Sequence, residues 1–365
     1  MATTLDLDLN GFMTLFTHPK DKVKSSPQHL FIGTASDLKG TFELKLVRSL
    51  VLYLNTTTVT DAIQKQLVDV INKSKLTGFY GSIQYMAHLP EELKKLYVFG
   101  FNDGLMHDIL PSLSAFKCLT AVGLWTLSID YVAIKTLLES TLISTVEIIN
   151  VCILNVPLAP IDMSFVKEKL VWKDTNAFDE SFSNQSIMGA TKQLDTDNIM
   201  LLSCLKGNLK LLQKIELFFQ PVDARQVAKS LILAKNIVDV LFKCPGINQE
   251  QTRMILTAIT SEKVEKLVLI PCVLALQPDD FQRFKNLTCF GAISLPFDFI
   301  KTLKLTSFYL HTLESSQYAQ LNAAIQSYQI KNVYFSGLPS ELTAFEEKYS
   351  DQLSMQGCRI HIINK

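Results

Sequence analysis

The apolar residues of this chain recur in a short block: one at the first position, then the fourth and sixth, with a further apolar or Asn-like residue at the ninth. Two blocks are clear, Val47, Leu50, Leu52 and Asn55, and Val264, Leu267, Leu269 and Cys272. Alternation through the fourth to sixth positions predicts a short strand. Looser blocks begin at Leu76, Leu93, Phe116, Ile143, Lys167, Leu212, Ile237, Phe284, Ile300 and Ile330, at a mean interval of about 26 residues. The block at Lys167 is the weakest, because its first position is charged and its core is only Leu170 and Trp172.

Helical patterns fill the intervals: Thr60 to Lys73, Asp130 to Ser140, Asp195 to Leu205, Asp223 to Lys235, Asn248 to Ser261 and Ser315 to Ser327. Each opens on a residue type whose side chain can cap free backbone amides. Val227, Leu231 and Ala234 fall at helical spacing and form a stripe that packs on a strand layer. Strand followed by helix, repeated, predicts a parallel sheet. One such unit cannot cover its own apolar face, so neighbouring units must stack.

The pattern L-x-x-L-x-L-x-x-N/C in the blocks at Val47 and Val264 resembles the leucine-rich-repeat family. Intervals near 26 with true helices resemble its ribonuclease-inhibitor-like branch. The resemblance implies an α/β leucine-rich-repeat solenoid, with a curved parallel sheet on the concave side and helices and 3₁₀ turns on the convex side. The shorter intervals, Leu76 to Leu93 and Phe284 to Ile300, leave room only for a turn or a 3₁₀ segment. Residues 1–45 are expected to form an amino-terminal cap or arm. Residues 46–338 then form the array, with a polar insertion at 173–193, and residues 339–365 a closing helix and strand. Phe178, Phe182 and Met188 are candidate anchors in the insertion, with a plain surface loop as the alternative.

Composition narrows the function. With 48% hydrophobic residues among 365, the chain can bury a large core. Lys and Arg balance Asp and Glu at 35 each, so no global field favours nucleic acid or an anionic membrane. The amino terminus shows no export leader, and no apolar run suits a membrane span. The seven cysteines are widely spaced and lack a C-x-x-C pair, which suits a reducing compartment and a buried, structural role; Cys272 and Cys289 are expected to point inward. The localisation expected is therefore cytoplasmic, or the host cytoplasm for a secreted effector.

None of the recognisable catalytic or phosphate-binding motifs occurs, and the six histidines are isolated from one another. The reading is accordingly non-enzymatic, with no catalytic residue, metal or cofactor. Side chains at the fifth and seventh positions should face away from the core. These include Val51, Tyr53, Tyr80, Tyr97, Phe99, Glu147, Ile149, Glu216, Phe218, Val268, Ile270, Phe290, Lys304 and Tyr334.

The expected partner-binding set is Tyr80, Tyr97, Phe99, Glu147, Glu216, Phe218, Phe290, Lys304 and Tyr334, since aromatic anchors dominate protein interfaces. The alternative is that the terminal arm or the inserted loop covers these side chains. A margin of Lys and Arg at the second and third positions, Arg48, Lys94, Lys95, Lys169, Lys214, Lys266 and Lys331 among them, reads either as a steering edge or as ordinary solvation. The leading expectation is a scaffold that binds another protein on its concave surface, without a small-molecule substrate or membrane contact. Nucleic acid is disfavoured. The alternative is a regulator of an enzyme: an inhibitor, a GTPase activator or a ubiquitin-ligase adaptor, including a microbial effector acting in a host cell.

Overall fold

A computed structural model describes Phe12 and residues 28–39, 43–54, 59–100, 106–107, 110–156, 165–175, 189–270, 278–292, 303–310, 314–335 and 339–362. The anchors Phe178, Phe182 and Met188, and Cys272, lie outside the described residues. The chain forms two compact units, Met1–Gly189 and Ala190–Lys365.

In the first unit the strands are β1 (His29–Ile32), β2 (Ser49–Leu52), β3 (Gly78–Ser82), β4 (Lys95–Phe99), β5 (Met106–His107), β6 (Ala121–Asp130), β7 (Thr145–Leu154) and β8 (Val166–Lys173). They pair in parallel in the order β1, β2, β3, β4, β6, β7, β8, with β5 beside the far end of β6. The second unit repeats the arrangement. Its strands are β9 (Ala190–Thr196), β10 (Lys214–Phe218), β11 (Asp239–Lys243), β12 (Lys266–Ile270), β13 (Cys289–Ala292), β14 (Ser307–Leu310), β15 (Asn332–Phe335) and β16 (Arg359–Ile362), parallel and in sequence order. Each unit is a solenoid-like α/β repeat.

Register explains the burial. Leu30, Leu50, Phe79, Leu96, Val122, Val146 and Leu170 are successive Cα partners across the first unit, and all are fully buried. Val240, Leu267, Phe290, Phe308 and Val333 make the equivalent row in the second. Helices cover this face: Ile255 of the helix Gln249–Ala258 lines one apolar pocket with Phe242 and Leu269. Three of the six predicted caps are present, with Thr60 Oγ1 accepting from Ile63 N and Asp130 Oδ1 from Val132 N, while Asn248 and Gln251 form a reciprocal box. Asp223 makes no side-chain cap on its helix, Asp195 lies in a strand, and Glu314, not Ser315, caps the last one. The short interval after β3 holds the 3₁₀ segment Ile83–His88.

Three placements differ from expectation. The blocks assigned to Phe116 and Phe284 start three residues later, at Leu119 and Leu287, because Val122 pairs with Leu96 and Phe290 with Leu267. The block assigned to Ile300 starts at Leu305, since Phe308 pairs with Phe290. One repeat was not expected at all: β9 pairs with β10 through Leu194 and Ile215, with Thr191 and Thr196 at its first and sixth positions. Part of the expected insertion, and Asp195 of the expected helix, thus belong to a strand, and the helix itself runs Ile199–Leu205.

Beyond the seventh position of three adjacent strands the backbone turns left-handed, at Thr126 (φ 51°), Asn150 (φ 52°) and Asp174 (φ 48°). Asn150 Nδ2 donates to Thr126 Oγ1 at 3.3 Å. The step recurs in register because Trp125, Ile149 and Lys173 are mutual partners just before it. Left-handed backbone suits Asn and Asp but strains a β-branched residue such as Thr126.

Candidate functional site

On the face opposite the helices, the first unit carries Val51, Tyr80, Tyr97, Gly123, Glu147 and Val171 as one row of Cα partners. Ser82, Phe99, Trp125, Ile149 and Lys173 form the next. Alternation puts them where expected, but not in solvent. Tyr80, Tyr97, Phe99 and Glu147 are buried.

The tyrosine rings of Tyr80 and Tyr97 stack at 5.0 Å with planes 7° apart. Gly123 makes this possible, since a Cβ there would sit 2.2 Å from Tyr97 Cδ1. Phe12, fully buried, covers the rings, with centroids 6.0 Å from Tyr80, 5.8 Å from Phe99 and 6.2 Å, edge-on, from Trp125. Such offset and edge-to-face pairs add to the area that they bury. Phe12, from the segment expected to cap the amino-terminal end, thus packs on Tyr80, Phe99 and Trp125 of this face.

Beyond the rings, Glu147 is only 1% exposed and accepts from Lys169 Nζ at 2.8 Å. A carboxylate so far from water requires charge-assisted partners.

In the second unit Glu216, Leu241, Val268, Gly291, Tyr309, Tyr334 and His361 form the corresponding row, with Phe218, Lys243 and Ile270 beside it. Val268, Ile270 and Tyr309 cluster, with Leu241 and Tyr334 packed against them. Phe218 stands out at 42% exposed. Among the described residues the other exposed aromatic side chain is Tyr328, at the end of a helix. Glu216 and Lys243, each one-third exposed, pair at 2.5 Å. Tyr334 stacks on His361 at 4.9 Å and 19°, and Lys266 Nζ lies 5.5 Å from its ring centre. Burial raises the Tyr334 hydroxyl above its ordinary pKa, reinforced by Cys289 and Asp239.

Two expected members of the set lie elsewhere. Phe290 is on the helix side, fully buried and T-shaped against Phe281 at 4.9 Å. Lys304 is an exposed, left-handed turn residue (φ 52°) before β14, not a strand residue. Both shifts follow from the three- and five-residue register corrections. Cys289 moves the other way: it pairs with Lys266 and so faces away from the helices, yet burial pushes its thiol up to about 11.

Part of the expected basic margin is consumed by pairing. Lys169 and Lys214 face Glu147 and Asp239. Among the described residues no helix is long and apolar enough to cross a membrane, and no group of three or more His, Cys, Asp or Glu is arranged to hold a metal. The sequence matches no protein-family model and no curated protein.

Proposed function

We propose that this chain is a non-catalytic interaction scaffold of the leucine-rich-repeat type, in the ribonuclease-inhibitor-like branch, that binds another protein. The contact surface is the sheet face opposite the helices of the second unit, the counterpart of a concave solenoid face. The observation that carries this reading is Phe218, an aromatic side chain exposed on a sheet strand beside the Glu216 and Lys243 pair. Exposing a phenyl ring costs solubility and gains nothing for this fold, whereas an aromatic anchor ringed by polar groups is what interfaces use. Tyr334, with His361 and Lys266, extends the same face toward β16. The free cysteines among the described residues suit the cytoplasm, the host cytoplasm for a secreted effector included.

The test is affinity capture with the full chain, in parallel with Phe218→Ala and with Ile232→Ala, an exposed residue just beyond the helix Ala224–Leu231. Loss of the captured protein with the first variant alone supports the reading. Equal capture by all three proteins removes this surface from consideration.

A further inference from the structure

The turns that lead into β10 to β15 lie side by side along one edge of the second unit, because these strands are parallel and in register. Main-chain bonds join them, from Val238 N to Gln213 O at 2.7 Å, Glu265 N to Val238 O at 2.9 Å, and onward to Lys331 N and Thr306 O at 2.8 Å. Each turn carries one exposed lysine: Lys210, Lys235, Lys263, Lys285, Lys304 and Lys331. The acidic residues of these turns are Glu262 and Glu265, both in the third. Among the described residues none of the six lysines has an ion-pair partner. With strands about 4.8 Å apart, the row spans about 24 Å. Like charges so placed repel one another, so the row costs the fold stability.

Aliphatic side chains share this edge. Leu211 is 42% exposed, Ile232 49% and Leu233 43%. They flank Lys210 and Lys235 on two turns tied together by Asn236 Nδ2, which donates to Lys210 O at 2.7 Å. Thr260 Oγ1 anchors Ile232 from the next turn, donating to its carbonyl at 3.4 Å. We propose that this edge docks on the surface of an anionic membrane. The lysines lie against the lipid phosphates and carboxylates, and Leu211, Ile232 and Leu233 enter the boundary between headgroups and acyl chains. The interleaving of aliphatic and cationic groups favours lipid over nucleic acid, the other extended polyanion. A nucleic-acid strand needs successive aromatic platforms for its bases, whereas the edge offers aliphatic side chains and one exposed tyrosine, Tyr328, a residue type that settles at membrane interfaces. The zero net charge of the chain does not oppose this, because charges more than about 10 Å from the surface are largely screened. Phe218 lies at the opposite end of β10 from Lys210 and Leu211, clear of the proposed contact.

The experiment is co-sedimentation of the full chain with phosphatidylcholine vesicles, pure or containing about 30% phosphatidylserine. Binding is expected to the anionic vesicles alone, weakening as salt is raised. Lys210→Gln with Lys235→Gln should weaken it at least about tenfold. Ile232→Ser with Leu233→Ser should do the same, since both side chains lose their place in the bilayer. Circular dichroism checks that the variants are folded. Leu211→Ser, on the neighbouring turn, repeats the apolar test should the double change disturb the end of its helix.

No binding to the anionic vesicles overturns the proposal, as does equal binding to the neutral ones. Vesicle binding that survives either the lysine changes or the apolar changes also overturns it. So does a labelled RNA oligonucleotide that binds more tightly than the vesicles and is released by the lysine changes alone, because the edge would then be a nucleic-acid surface. Purified lipid contains no protein partner, so failure here leaves the reading of Phe218 standing, and capture data at Phe218 leave this result standing.

Discussion

Lys167 Nζ donates hydrogen bonds to the main-chain carbonyls of Ile143 at 2.5 Å and Ser140 at 2.6 Å, reaching across to the preceding repeat. Lys167 holds the first position of its unit, the place that Ile143 holds in the unit before. Only 1% of it is exposed, so its ammonium substitutes for a leucine by tying down two carbonyls. Burial lowers its pKa from 10.5 to about 8.

That shift has a sign. Between about 8 and 10.5 the folded chain releases the Lys167 proton while the unfolded chain keeps it, so this group's contribution to stability grows with pH. It is complete above 10.5, is lost as pH falls through about 8, and amounts to at most about 3 kcal/mol. Cys289 and Cys358, both raised from 9 to about 11, act oppositely: their contribution is full below 9 and is lost as pH rises through 11. The difference between wild type and Lys167→Met isolates the lysine. Urea melts from pH 7 to 10.5 should show wild type gaining on the variant, and a constant gap would refute the assignment.

The buried Cys289 thiol should also be a slow nucleophile. At pH 8 iodoacetamide should modify exposed Cys118 well before Cys289, as read by peptide mass spectrometry of native protein. Early alkylation of Cys289 would mean that its face opens in solution.

Two ion pairs that look alike in sequence should differ in worth. Lys169→Met takes a cation from a carboxylate that is 1% exposed and should cost about 3 kcal/mol. Lys243→Met, at a pair one-third exposed on both sides, should cost no more than about 1 kcal/mol. Chemical denaturation of the two variants gives the comparison.

Gly123→Ala puts a methyl group into the Tyr97 ring, 2.2 Å from Cδ1, and should destabilise by about 1 to 3 kcal/mol. Its melting temperature should fall by several degrees, whereas an unchanged value would mean that the ring moves aside at no cost.

The parallel strand repeat was legible in the sequence because the blocks at Val47 and Val264 carry apolar residues at all three inward positions. Register failed at Phe116 and Phe284 for a local reason. Each is a buried turn residue three before the true first position, its spacing to Leu119 or Leu287 mimicking that of a strand block; Leu287 N bonds back to Phe284 O at 3.1 Å. The β9 repeat was silent because Thr191 and Thr196 take its inward positions and satisfy their hydroxyls locally, on Gln193 O and Asn198 N. Alternation identified which face Tyr80, Tyr97 and Phe99 occupy. It carried no information on Phe12, whose approach to that face is a long-range event.

On the sheet face of the second unit opposite the helices, where Val268, Ile270 and Tyr309 are buried, Phe218 is the exposed aromatic proposed to hold the protein partner. The measurement that reaches it most directly is the dissociation constant of the captured partner for wild type and for Phe218→Ala, by titration calorimetry. At least about tenfold weaker binding is expected for Phe218→Ala with the melting temperature unchanged, as for a truncated aromatic anchor. Equal dissociation constants would contradict it.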